Sequence, residues 1–289
     1  MPSKQKILIT GSNGQLGSEL QQLAPCFFSY DFYFFSRSEF SLNNNEMIEK
    51  RIAEVQPDYV INCAAYTAVD KAETEKAEAL QINGTAVGVM AKACNKHNAK
   101  FLHISTDYVF DGSRNEPLQE DAPVAPINFY GKSKLAGEQM AIESNPDSIL
   151  IRTSWVYSFY GKNFVKTMMR LMSEKDSINV VGDQWGSPTY AADLAAAIMQ
   201  IISSGKWVAG IYHFSNEGVI TWAQFASEIA AIMQSACIVN SIPTSSYPTP
   251  APRPLYSVMD KAKIRDTFSI KLNHWKYSLQ LCVNKLTTH

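Results

Sequence analysis

The stretch KILITGSNGQLG, residues 6–17, decides how the chain is read. Lys6 to Thr10 is a short apolar run of strand type, and it passes directly into Gly11-Ser12-Asn13-Gly14-Gln15-Leu16-Gly17. From Gln15 to Ala24 the apolar spacing is helical, and Pro25 stops it. A glycine-rich turn between a first strand and a helix has a definite chemistry. Its glycines permit the tight turn, let the backbone approach a pyrophosphate, and let the helix pack closely on the strand. The free N–H groups and dipole of the helix start then attract the anion. The turn from Gly11 to Gly17, with Asn13 and Gly14 inside it, is therefore a candidate dinucleotide-binding loop. An ordinary glycine-rich turn is the alternative.

Working outward, strand-like and helix-like segments alternate. Phe27 to Ser36, though unusually aromatic, reads as a second strand, Asn44 to Val55 as a helix, and Tyr59 to Cys63 as a strand. Lys71 to Asn95 follows as one long helix, Phe101 to Thr106 as a strand, Tyr130 to Glu143 as a helix and Ser148 to Ser154 as a strand. The pattern predicts an α/β fold with a Rossmann-like doubly wound parallel sheet. After Trp155 the rhythm loosens. Helices are expected at Asn163 to Ser173, Ala191 to Ile202, Trp222 to Gln234 and His274 to Lys285, and short strands at Ile178 to Val181 and Ile211 to Phe214. The segment Ile242 to Pro254 carries five prolines and must be extended. The expected division is a cofactor domain over 1–154, with returning elements at about 186–216, and a smaller C-terminal substrate-binding lobe from 155–185 and 217–289.

The bulk numbers bound the partners. With 289 residues there is chain enough for one large or two modest domains. Lys and Arg number 26 against 27 Asp and Glu, a net charge of -1 that argues against nucleic acid or an anionic membrane surface. The five cysteines are scattered and lack metal-ligand spacing, so neither a disulfide framework nor a zinc site is expected, and a reducing compartment is. No secretory signal or stretch of about 18 apolar residues is present, so a soluble, cytoplasmic protein is expected. The five histidines are scattered singly, and none is assigned a role.

A second constellation lies downstream. Tyr130-Gly131-Lys132-Ser133-Lys134 sets Tyr130 and Lys134 four residues apart at a helix start, hence on one face. A phenol beside an ammonium is a plausible general acid for carbonyl reduction, and Thr106, at the end of a strand, could orient the substrate oxygen toward it. Near the end of the second strand, where an NAD-selective fold has an acidic residue, stand Ser36 and Arg37. A guanidinium there suits a ribose 2′-phosphate and favours NADPH over NADH. The alternative leaves Arg37 solvated, with Glu39 taking the ribose.

These segments, with NCAAYTAVDKAE (62–73), STDYVFDG (105–112), PINFYGKSKLAGE (126–138), RTSWVYS (152–158), GDQWGSPTYAADLA (182–195) and PTPAPRPLYSVMD (248–260), resemble the dTDP-4-dehydrorhamnose reductases. That family belongs to the extended short-chain dehydrogenase/reductase superfamily, and the match runs almost end to end. The resemblance implies an oxidoreductase that uses NADPH or NADH to reduce the C4 keto group of dTDP-4-dehydro-β-L-rhamnose, giving dTDP-β-L-rhamnose for surface polysaccharide. It implies Tyr130 as proton donor, Lys134 as the residue that binds nicotinamide ribose and tunes Tyr130, and Thr106 as their assistant. Gly14, Gln15, Leu16, Ala64, Ala65, Tyr66 and Thr67 would line the cofactor. Thr106, Asp107, Tyr108, Val69 and Trp155 would meet the sugar nucleotide.

Arg253 could meet its diphosphate or simply be exposed, and Asn163 and Gln184 are open in the same way. Trp155 also reads as core, Asp107 as a turn cap and Tyr66 as a half-buried aromatic. The chain departs from the family at the adenine side, where Ser36 and Ser41-Leu42 replace an acidic residue and an Asp-Ile pair. Some relatives dimerise through glutamate-bound magnesium. Glu19 matches one such position, but Ala192 stands at another, so no metal-bridged dimer is expected and monomer or homodimer stays open. A sibling nucleotide-sugar 4-ketoreductase of different stereochemistry and a non-catalytic NADP-binding regulatory subunit are the alternative functions.

Overall fold

The computed structural model describes residues 4–288. In its first half β1 (Gln5–Thr10), α1 (Gln15–Leu23), β2 (Tyr30–Phe35), α2 (Asn45–Val55) and β3 (Tyr59–Asn62) alternate as the sequence predicts. They are followed by α3 (Lys76–Leu80), α4 (Ala86–Lys96), β4 (Lys100–Thr106), α5 (Phe129–Ser144) and β5 (Ile149–Thr153). The second half runs β6 (Val156–Tyr157), α6 (Phe164–Glu174), β7 (Ser177–Val181), β8 (Trp185–Gly186), β9 (Thr189–Tyr190), α7 (Ala191–Ser203) and β10 (Gly210–Phe214). It closes with β11 (Ile220–Thr221), α8 (Trp222–Ile232), β12 (Ile238–Ile242), α9 (Ala262–Phe268) and α10 (Trp275–Thr288). Side chains cap several helix starts: Asn44, Asn128 and Asn163 each accept from a backbone N–H of the first turn, and Thr221 and Gln224 form a reciprocal capping box.

Six strands form one parallel sheet in the order β10-β5-β4-β3-β1-β2. Alternation along each strand sends neighbouring side chains to opposite faces. Ile7, Ile9, Ile61, Leu102, Ile149 and Ile151 pack against α1 and α7, whereas Leu8, Val60, Phe101 and Leu150 pack against α2, α4 and α5. Both faces are buried, which is why these strands read as continuous apolar runs.

After Trp155, α7 and β10 return to the main sheet, while most of the other elements build a second core around Tyr157, Val165, Met168, Phe225, Ile229, Trp275 and Leu279. α9 also joins the main sheet: Ile264 and Phe268, with Ile270 just beyond it, belong to its core. α9 and β12 were not anticipated from the sequence. The first is seven residues long, and the second, IVNSI, is half exposed with polar residues inside it. The single helix expected from Lys71 to Asn95 is instead a 3-10 turn at Lys71–Glu73, then α3, a π-helical turn at Gln81–Thr85, and α4. The π turn carries the fully buried Asn83, whose amide bonds both the N–H and the carbonyl of Tyr66 (2.8 and 3.0 Å) and also Ser133 Oγ (3.0 Å). A regular helix would lose that registration.

Candidate active site

Because β2 lies on one side of β1 and β3 on the other, the connections diverge beyond their carboxyl ends, and a crevice opens there. It is a cleft of about 860 Å3, within the size range of small-ligand sites. Gly11, Gly14, Gln15 and Leu16 line one part, Ala64 to Val69 another, and Thr106, Asp107, Tyr108, Tyr130, Lys134 and Trp155 the remainder.

The turn that opens α1 is built for close approach. Gly11 has φ +67°, and a Cβ there would lie 2.8 Å from the backbone nitrogen of Ala64. A Cβ on Gly17 would come within 2.3 Å of the Gly11 carbonyl oxygen, so α1 can sit this near β1 only without one. The N-cap is Gly14, no side chain caps the helix, and no acidic residue occupies its first turn. The first amides of α1 are thus unfilled by side chains in a cleft large enough for a dinucleotide, and the site fits a pyrophosphate.

Tyr130 and Lys134 stand one turn apart on α5. Burial pushes the Tyr130 phenol up to about 12, while Thr106 favours its ionised form. Burial draws the Lys134 ammonium down to about 8, against the opposing pull of Glu138. Glu138 itself is neutralised by a buried bidentate pair with Arg152 (2.9 and 2.7 Å) and also accepts from Ser105 Oγ (2.5 Å). Lys134 Nζ donates to the Ile104 carbonyl at 2.6 Å and lies 3.2 Å from His103 Nε2. Tyr108 sets its ring edge-on to Tyr130 at 5.8 Å. Asp107 is buried, its Oδ2 has no partner, and desolvation raises its carboxyl to about 6. Trp155 adopts φ +48°, a left-handed conformation that costs a bulky residue energy. It stacks on Trp222 at 3.6 Å, and the close fit of Gly186 against its ring leaves no room for a Cβ there.

Other expected residues lie elsewhere. Asn13, Gly17, Ser36, Asn163, Gln184 and Arg253 do not line the cleft. Asn163 caps α6 and donates to Gln15 Oε1 (3.0 Å) and the Ser158 carbonyl (2.7 Å). Gln184 donates to Thr244 Oγ1 at 3.1 Å, and Arg253 is paired with Asp70 at 2.6 Å. Ser36 donates to Glu39 from both its N–H and its hydroxyl, at 3.0 and 2.6 Å. Arg37 reaches the cleft edge, largely exposed, and meets Glu78 at 3.1 Å. Trp222 and Lys162 line the cleft without having been anticipated. Trp222 opens a helix whose inner face is core, so its position alone carries no signal.

A parallel sheet with a phosphate-fitted turn at its switch point and a Tyr–Lys pair on the following wall defines a dinucleotide-dependent oxidoreductase of the short-chain dehydrogenase/reductase type. Residues 5–288 match the family described as RmlD substrate binding domain. The chain belongs to that family, the family of the dTDP-4-dehydrorhamnose reductases. It is 39% identical to the dTDP-4-dehydrorhamnose reductase of Burkholderia thailandensis, across 97% of this chain and 99% of that one. It is likewise 39% identical to the Escherichia coli enzyme of the same name, across 98% of both chains. The solved structure of dTDP-4-dehydrorhamnose reductase from Bacillus anthracis, in complex with NADP, superposes with a TM-score of 0.93 at 40% identity, covering 98% of this chain and 99% of that one. An NAD complex of WbmH from Bordetella bronchiseptica, 19% identical with a TM-score of 0.80 over 99% of each chain, shares the fold.

Proposed function

We propose that this chain is a dTDP-4-dehydrorhamnose reductase, reducing the C4 keto group of dTDP-4-dehydro-β-L-rhamnose to dTDP-β-L-rhamnose. The observation that carries the reading is the meeting of Tyr130, Lys134 and Thr106 in one cleft with an uncapped glycine turn, on a chain similar end to end to such reductases. The bound nicotinamide cofactor supplies the hydride. Gly11, Gly14, Gln15 and Leu16 hold its pyrophosphate, and Ala64 to Thr67 flank it from the end of β3. Tyr130, protonated at neutral pH because its phenol is raised to about 12, gives its proton to the sugar C4 oxygen as charge develops there. Thr106 hydrogen-bonds the same oxygen and steadies the phenolate left behind. Asp107, Tyr108, Val69 and Trp155 position the sugar. Residues 155–185 and 217–289 supply the sugar-nucleotide lobe, built largely on the second core, with α9 packed instead on the main sheet.

NADPH is the favoured cofactor, since Arg37 stands at the cleft edge where a ribose 2′-phosphate would need a cation. A nucleotide sugar and a reduced dinucleotide are cytosolic metabolites, which supports a cytoplasmic location. No helix among the described residues is long and apolar enough to cross a membrane. The test is oxidation of NADPH and of NADH by the purified chain with dTDP-4-dehydrorhamnose, followed by the stereochemistry of the product. Cofactor oxidation that depends on the keto sugar and yields the rhamno product is expected. A product epimeric at C4 would make the chain a sibling ketoreductase, and no turnover with any 4-keto sugar would leave a binding subunit.

A further inference from the structure

Among the described residues that line the cleft, three carry positive charge: Arg37, Lys134 and Lys162. Lys134 is buried in α5, and Lys162 follows Gly161, which packs on Gln15 at the glycine turn. Arg37 follows β2, on the side of Phe40, Leu42 and Asn43, where the adenosine ribose of a dinucleotide lies in such folds. Its guanidinium is not free. Arg37 Nη2 donates to Glu78 Oε1 at 3.1 Å, joining the end of β2 to α3 across 41 residues of chain. Both side chains are exposed, 78% for Arg37 and 40% for Glu78, and among the described residues neither has another hydrogen bond or ion pair. The neighbouring carboxylates are committed elsewhere. Glu39 accepts from the N–H and hydroxyl of Ser36 (3.0 and 2.6 Å), and Glu75 accepts from the Tyr66 hydroxyl.

We propose that Glu78 is a specificity-determining residue: its carboxylate occupies the guanidinium that a ribose 2′-phosphate would use, and so lowers the preference of the cleft for NADPH over NADH. The proposal rests on the reading that Arg37 faces that phosphate. A guanidinium offers its donors in one rigid fork, and two anions brought together on it repel. NADPH must therefore part Arg37 from Glu78, or hold its phosphate against the Glu78 charge. The 2′-hydroxyl of NADH is neutral and does neither.

The scaffold has little need of this pair. α3 is held by the buried Ala79, and just beyond it Gln81 donates to the Leu42 carbonyl and to Asn45 Oδ1 (3.0 Å each). Asn83 then fixes the π turn to Tyr66 and Ser133. An exposed ion pair adds little to such anchors, and being weak it can exchange one anion for another. Glu78 is thus placed to tax the phosphate without closing the cleft to it.

Glu78→Gln keeps the size of the side chain and removes its charge. In the full chain, titrations followed by nicotinamide fluorescence should show NADPH bound about two- to fivefold more tightly than by the wild type, with NADH unchanged. Calorimetry with 2′,5′-ADP and 5′-AMP, which lack the nicotinamide half, should repeat the difference. In an Arg37→Ala background the gain should vanish, because Glu78 acts through the guanidinium. Unchanged or weaker NADPH binding in Glu78→Gln, or an equal gain for both cofactors, would overturn the proposal. A gain that survived Arg37→Ala would overturn it too, since the guanidinium would then play no part. The single Arg37→Ala variant separates the two levels. Equal losses for NADPH and NADH there would sink the reading of Arg37 and this proposal together, whereas a loss confined to NADPH beside a silent Glu78→Gln would sink this proposal alone.

Discussion

At the scale of single residues, the pair in YGKSK was legible because spacing along a helix is a local property, and four residues suffice to put Tyr130 and Lys134 on one face. His103 was not, because a lone histidine in an apolar strand looks like any satisfied core histidine until its neighbours across the sheet are known. Tyr130→Phe removes one oxygen and keeps the ring that meets Tyr108. It should lower kcat by about 10²–10⁴-fold with an unchanged circular dichroism spectrum, and near-normal turnover would remove Tyr130 from the mechanism. Asp107 makes a different prediction. Its carboxyl is raised to about 6 in the folded state, above its unfolded value, so the folded protein is penalised for ionising it as pH rises. Asp107→Asn should therefore stabilise the protein at pH 8 by on the order of 2 kcal/mol, with the gain vanishing below about pH 4. Thermal melts of the two proteins across that range measure it, and a gain that grew toward acid would contradict the sign.

At the scale of elements, the first strand, turn and helix were readable together, since the glycines lie between two clear apolar patterns. The break between α3 and α4 was not. Lys71 to Asn95 has continuous helical character, and the π turn exists because Asn83 is drawn into hydrogen bonds with Tyr66 and Ser133, partners 17 and 50 residues away. Long-range satisfaction of a buried amide there overrides local helix preference. The turn of α1 gives the element-scale prediction. In Gly17→Ala the new methyl would meet backbone, the Gly11 carbonyl, at 2.3 Å, so α1 must shift away from β1. A loss of about 1–3 kcal/mol in stability is expected, with NADPH binding, followed by nicotinamide fluorescence, weakened at least about tenfold by the displaced amides. Unaltered affinity would show that the turn does not hold the cofactor.

At the scale of the whole molecule, contacts distant in sequence fix segments to one another. Asp70, after β3, takes both arms of Arg253 (2.6 and 3.0 Å) and the backbone N–H of Ala251 (3.2 Å), tying the proline-rich segment to the cofactor side. The pair is partly exposed, so Asp70→Ala should change global stability by less than about 1 kcal/mol. It should nevertheless speed hydrogen exchange of the Ala251 amide several-fold, measured by mass spectrometry, and unchanged exchange would mean the prolines alone hold the segment. Arg37 reports on the opposite edge. Because its pair with Glu78 is exposed and weak, Arg37→Ala should weaken NADPH more than NADH in binding titrations. Equal effects would make Arg37 a bystander.

The sequence by itself determined the α/β alternation, the glycine turn, the Tyr130–Lys134 face and the family, because each is written in neighbouring residues or in motifs of fixed spacing. Tertiary structure alone decided that Arg253 is bound to Asp70, that Asn163 caps α6 and Gln184 donates to Thr244, that Trp155 stacks on Trp222, and that His103 sits against Lys134. Those are pairings between side chains far apart along the chain. Which of them form is set by strand order and by the need to satisfy every buried donor and acceptor, and local sequence encodes neither.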